Sequence, residues 1–222
     1  MNKRSLNILV CVLVAVIFIV HECLRVILPD VLIIRAVLKI IIGMVPIAIL
    51  HVNCDIKKYK WQLAVFIGII LYCIADAVMT YSDGIGMGFF AIGHIFVLIG
   101  FISERRPNRV PLVAWIVVSI ILNSMCIFAG PELGFGRRFL MFAGIYLTFV
   151  AAMTAESYCM NRGILVGALI FFVSDMLIIY NMIFGETVVR HFFSLGLYYL
   201  GIYLFAIYIR KYIHDNGQQA VK

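Results

Sequence analysis

The sequence predicts an all-α polytopic membrane protein of about eight transmembrane helices, and three observations carry that class. First, 64% of the 222 residues are hydrophobic and only 13% are charged, whereas a soluble domain carries about 25% charge. Second, the apolar residues fall into runs of about 20, the length needed to cross a bilayer as a helix. Third, twelve of the eighteen Lys and Arg residues fall in segments on the side of the two termini. Four fall on the opposite side, and Arg35 and Lys39 lie within a span. Basic residues collect on the cytoplasmic side of short loops, so both termini are expected in the cytoplasm.

The spans follow in order. The first, 5–22, comes after Lys3-Arg4 and lacks a small-x-small cleavage pattern, so it reads as an uncleaved span rather than a signal peptide. Pro29-Asp30 separates it from 31–52, and Asn53-Cys54-Asp55 separates that from 61–81. Ser82-Asp83-Gly84 is a tight turn into 85–102, and Arg106-Pro107-Asn108 leads to 111–129. Gly130-Pro131-Glu132, Asn161-Arg162-Gly163 and Gly185-Glu186 divide off 138–157, 163–184 and 191–210. Such clusters are turn formers. The chain is thus read as one transmembrane domain, 1–212, with a polar, disordered cytoplasmic tail at 213–222. His21, His51, Trp61, Arg137 and Arg138 sit at span ends, where interfacial anchoring accounts for them.

Two spans share a frame. Gly68-IILYCIA-Asp76-AVMT-Tyr81 and Gly167-ALIFFVS-Asp175-MLII-Tyr180 place Gly, Asp and Tyr at identical spacing. They fall in spans three and seven, which run in the same direction, as a four-plus-four parallel internal repeat would have it. A carboxylate at the centre of a membrane helix costs about 2.5–3.5 kcal/mol on the insertion scale.

Asp76 and Asp175 are joined by Arg35 and Lys39 on span two and His94 on span four. At 1.5 Å per residue, Lys39, His94 and Asp175 lie roughly 13–15 Å from the non-cytoplasmic end and Asp76 about 9 Å, so they can meet in one chamber. Unpaired, the four charges would cost on the order of 10–14 kcal/mol, so they must face the bundle interior. Arg35 and Lys39 share a helix face and require an anion between or beside them, either the aspartates or a lipid phosphate. Tyr72, Asp76 and Thr80 share a face of span three; Tyr146 and Tyr199 add hydroxyls from spans six and eight. Gly86, Gly93 and Gly100 form a stripe for close helix approach.

The bulk composition excludes other classes. The net charge of +7 resides in short loops, so nucleic acid is not an expected partner. The six cysteines are scattered without a CxxC pair, so neither a metal site nor a disulfide framework is expected. No phosphate-binding loop, nucleophile elbow or HExxH motif occurs.

The motifs Leu38-Lys39, Ala75-Asp76, GMGFFAIGH ending at His94 and GALIFFVSD ending at Asp175 resemble those of the YhhN-like lysoplasmalogenase family. The Tyr146…Met153…Ala155 run and Tyr198-Tyr199 are similar as well. The chain departs from the family pattern in lacking Pro after Lys39, in carrying Ala75 before the first Asp, and in carrying Leu200-Gly201 in the last span.

The resemblance implies a multi-pass cell-membrane hydrolase. It would cleave the vinyl ether bond of lysoplasmalogens to a fatty aldehyde and glycerophospho-ethanolamine or -choline, without a cofactor or metal. Its partners would be the lysophospholipid and membrane lipid. Asp76 and Asp175 would serve as acid and base or cation stabiliser, with the assignment open, and His94 would orient or relay. Arg35 and Lys39 would hold the phosphate, with Tyr72, Tyr146 and Tyr199 lining the substrate site. The alternative expectation is a proton-coupled transporter of a small molecule or lipid built on the same cluster.

Overall fold

The computed structural model describes residues 3–53, 58–105, 108–128 and 137–219. Among them are eight helices and no strand. They are α1 (Lys3–Ile27), α2 (Leu32–Asn53), α3 (Lys60–Met79), α4 (Asp83–Glu104), α5 (Arg109–Phe128), α6 (Arg137–Met160), α7 (Arg162–Phe184) and α8 (Val188–Gln219). Every one is long and apolar enough to cross a membrane. The clusters at 54–55, 106–107 and 130–132 lie outside the described residues. Among the other breaks, Asn161 caps α7 by accepting from the Gly163 N–H at 2.7 Å, and Gly185 ends it with φ 77°. That backbone conformation suits a residue without a Cβ.

Two helices overrun their expected ends by more than three residues. α1 continues to Ile27, past the expected break at 22. Glu22 finds a partner within the extended helix, accepting from Arg25 Nε one turn on, at 3.3 Å. α8 continues to Gln219, past the boundary placed at 212.

Six helices close into a ring in the order α2, α3, α4, α6, α7, α8 and back to α2. α1 leans on α2 from outside, and α5 on α6. These principal pairings map onto themselves when four is added to each helix number, which is the arrangement a four-plus-four repeat would build. The tightest seams obey the same relation. A Cβ on Gly68 would lie 2.9 Å from the Gly93 carbonyl oxygen of α4, and one on Gly167 would lie 3.2 Å from the Gly201 carbonyl oxygen of α8. Only residues without side chains permit backbones this close.

The core is mainly aromatic and aliphatic. It runs from Trp61, Val65 and Ile69 through Tyr72, Phe90 and Phe171 to Tyr198 and Phe205. Trp61 is buried there against the Tyr212 ring, not an interfacial anchor. α5 is held partly by polar contacts, since Trp115 Nε1 donates to the Thr148 carbonyl and Asn123 Nδ2 to Thr148 Oγ1. The side chains of Arg137 and Arg138 lie outside the described residues.

Candidate functional site

The two matched aspartates occupy corresponding positions with different partners. Asp76, on α3, receives Lys39 Nζ of α2 at 2.9 Å and the Tyr199 hydroxyl of α8 at 2.5 Å. Lys39 also donates to the Asp76 backbone carbonyl at 3.0 Å. Asp175, on α7, faces His94 Nε2 of α4 at 3.6 Å. The Tyr146 hydroxyl of α6 approaches it without closing a hydrogen bond of standard geometry. Each carboxylate is therefore flanked by the preceding helix of its own half and by the last helix of the other. Both are buried, and His94 is fully so. His94 Nδ1 lies 2.7 Å from the Tyr72 hydroxyl. A neutral ring protonated on Nε2 suits both contacts, with Nδ1 accepting from Tyr72 and Nε2–H facing the carboxylate.

An aromatic partition separates the two nests. Tyr72 packs against Phe90, His94 and Phe171 with centroids 5.0–5.8 Å apart. Tyr198 closes the group, packing with tilted rings against Phe171 and Tyr199 and donating from its hydroxyl to the Tyr72 carbonyl at 3.0 Å.

On one side of this partition lies a cavity of about 300 Å³. Arg35, Lys39, Asp76, Asn181, Ser194 and Tyr198 line its interior, and Arg25, Asp83, Glu186 and His191 its mouth. It opens at the end of the bundle formed by the C-terminal ends of α1, α3 and α7 and the N-terminal ends of α2, α4 and α8. That end is opposite the chain termini.

The expectation of one shared chamber is therefore corrected. Arg35, Lys39, Asp76 and Thr80 line the cavity, but Asp175, His94, Tyr72 and Tyr146 do not. Tyr72 turns toward His94 on α4 rather than along the face of Asp76, because the Gly93 backbone lets the ring lie close. Tyr199 reaches Asp76 but stands outside the lining. Arg35 donates to the Pro29 carbonyl at 3.1 Å, and its Nε has no partner among the described residues. The cavity thus holds a cation not neutralised by the aspartates.

Sequence reasoning missed the mouth. Glu22 accepts from Arg25 and contacts His21 Nδ1 at 3.0 Å, with His191 Nε2 3.4 Å away. Glu186 receives Arg25 Nη1 at 2.7 Å and His191 Nδ1 at 2.5 Å. His21 is wholly buried in this cluster rather than an interfacial anchor. The signal was the i,i+3 pair Glu22 and Arg25, hidden because the span was ended at residue 22. His191, bonded to Glu186, holds that carboxyl below its usual value, and Arg25 adds to the effect. Tyr198 was noted only as one of a pair, yet it is the residue that both faces the cavity and seals the second nest.

A ring of membrane-length helices around two buried carboxylates, one of them open to a cation-walled cavity, defines a polytopic membrane protein with an intramembrane polar site. A family model for the YhhN family matches residues 83–209, more than half of the chain. The chain belongs to the YhhN family. His94, Asp175 and Tyr199 fall inside the matched segment, while Lys39 and Asp76 precede it. No curated protein and no solved structure matches the chain.

Proposed function

We propose that this protein is a membrane-embedded hydrolase that cleaves the vinyl ether bond of a lysophospholipid, releasing a fatty aldehyde and the glycerophospho-alcohol. The observation that carries the reading is the cavity: a carboxylate, Asp76, and two basic side chains, Arg35 and Lys39, on one surface at membrane depth. Its volume of about 300 Å³ lies at the lower end of the range for small-molecule sites, roughly 300–1,000 Å³.

The chemistry needs few groups. A proton from a hydronium ion in the cavity adds to the alkene carbon remote from oxygen, which leaves a water molecule and an oxocarbenium ion. Water adds to that cation and loses its proton. The hemiacetal then collapses to aldehyde and alcohol, so one water is consumed overall. In this reading Arg35 binds the phosphate, and Lys39 holds the Asp76 carboxylate. Asp76 stabilises the cation and takes the proton of the attacking water. Asp175 acts from behind the partition through His94 and Tyr72, as a positioning residue and proton reserve for that wall.

The experiment is aldehyde release from lysoplasmenyl-ethanolamine by purified protein in detergent. Asp76→Asn is expected to lose at least about a hundredfold in kcat, the low end of acid–base contributions. Asp175→Asn is expected to lose at least as much, with a shifted pH profile. Near-normal turnover in Asp76→Asn would remove the residue from the chemistry.

A second reading is proton-coupled transport. It is favoured by two carboxylate nests of corresponding construction within the membrane, as paired transporter halves present. Proton-dependent uptake into vesicles without aldehyde would select it.

A further inference from the structure

Three of the helices that wall the polar cavity, α1, α2 and α8, also carry an apolar groove, and along each of them the groove follows the cavity. The groove, of about 260 Å³, faces the membrane between α1, α2 and α8. Along α1, Arg25 lines the cavity and Phe18, Val14 and Cys11 line the groove. Along α2, Arg35 and Lys39 line the cavity and Ile42 and Pro46 the groove. Along α8, His191 and Ser194 lie in the cavity, and Gly196, Tyr199 and Tyr203 in the groove. The order is the same on all three. From Lys39 to Pro46 the chain descends about 10 Å at 1.5 Å per residue.

Tyr199 is the joint. It lines the groove, and its hydroxyl ends on Asp76. Phe18 packs edge-on against it with centroids 5.8 Å apart. Opposite Phe18, Gly196 leaves the groove open, since a Cβ there would meet only the Phe18 ring, at 3.8 Å.

We propose that this groove seats the hydrocarbon chain of a single-chain amphiphile whose phosphate is held at Arg35 in the cavity, with Tyr199 at the junction between the two. This rests on the reading of the cavity as a head-group site. The match is one of sequence along the membrane normal: charge at the bundle end, a carboxylate below it, then hydrocarbon toward the bilayer centre. A bond linking head group to chain would fall at the junction, beside Asp76. A chain moving from lipid into this groove exchanges one hydrocarbon surface for another, so the groove orients the substrate more than it tightens binding.

The test uses the full-length protein in lipid nanodiscs and a lysophosphoethanolamine with a saturated ether chain carrying a mid-chain diazirine. After photolysis, labelled residues are mapped by mass spectrometry. Labels are expected on 11–18 and 196–203, at least about fivefold above other lipid-facing helices and suppressed by unlabelled lysophosphoethanolamine. Ala15→Phe fills the groove from its lipid-facing rim, where folding is spared, and Gly196→Phe fills it from the floor. Each is expected to abolish the excess labelling. Equal labelling of all lipid-facing helices, or concentration of label in the apolar cleft between α5 and α6, overturns the proposal. So does groove labelling that survives competition. Aldehyde release from a vinyl ether substrate is measured separately. Competed groove labelling without aldehyde keeps the groove and removes the hydrolase, whereas aldehyde release with label elsewhere removes the groove alone.

Discussion

Replacing Lys39 with Met tests whether the Asp76 nest is a true buried ion pair. The side chains of Lys39 and Asp76 are 7% and 5% exposed and stand 2.9 Å apart. Removing the ammonium leaves the carboxylate with the Tyr199 hydroxyl as its remaining side-chain donor among the described residues. Breaking one side of a buried pair costs about 3–5 kcal/mol, or roughly two to four powers of ten in the unfolding constant. Asp76→Asn is expected to be milder, because the ammonium keeps its bond to the backbone carbonyl of residue 76 at 3.0 Å. The double variant Lys39→Met/Asp76→Asn buries no charge in this nest. It should therefore lose less than the two single losses combined, with a coupling on the order of 1–3 kcal/mol. The assay is SDS-driven unfolding in mixed micelles, followed by circular dichroism, for all four proteins of the cycle. Strictly additive losses, or single losses under about 1 kcal/mol, would show a solvated pair and refute the reasoning.

Two further outcomes follow from geometry. Gly68→Ala and Gly167→Ala each drive a methyl against a facing carbonyl, at 2.9 and 3.2 Å, so each should destabilise by about 1–3 kcal/mol in the same unfolding assay; unchanged midpoints would mean the α3–α4 and α7–α8 seams are looser than described. At the cavity mouth, Glu186 faces Arg25 and His191, with Glu22 beyond them. Its carboxyl is held below the ordinary value of 4.5, chiefly by His191, so its contribution is present above that value and is lost as pH falls through the lower folded value. Amide protection factors at 184–192, taken against the intrinsic exchange rate at each pH, should therefore fall below about pH 4.5, and this acid limb should weaken in Glu186→Gln.

What the sequence made legible was whatever depends on one helix at a time. Hydropathy and turn clusters located all eight helices, because a span must satisfy its backbone internally and pays for each charge it carries. The same reasoning picked out Asp76, Asp175, Lys39 and His94, and each of them is buried. Depth along a helix is also a one-helix quantity, so Lys39 meeting Asp76 and His94 meeting Asp175 were within reach of it. Azimuth is not. Whether Tyr72 turns toward the cavity or toward His94 depends on how closely α4 approaches α3, which the Gly93 backbone decides. Glu22 was missed for a related reason. Its partner Arg25 stands one turn further along α1, beyond the expected end of the span, and His191 comes from α8; without them the residue reads only as the end of an apolar run.

The corresponding construction of the two nests sharpens the functional question. If Asp76 and Asp175 descend from one ancestral position, their differences mark what has been selected since. The first nest acquired an ammonium from α2 and an opening; the second acquired an imidazole from α4 and a lid. The lid is made of Tyr72 and Tyr198, and position 72 corresponds to Phe171 in the other half, so a hydroxyl stands on one side of the relation only. That hydroxyl is the one bonded to His94. In the proposed hydrolase, substrate meets one carboxylate while the other stays behind the aromatic wall. The tyrosine hydroxyl is then the element that links the sealed pair to the partition facing the cavity.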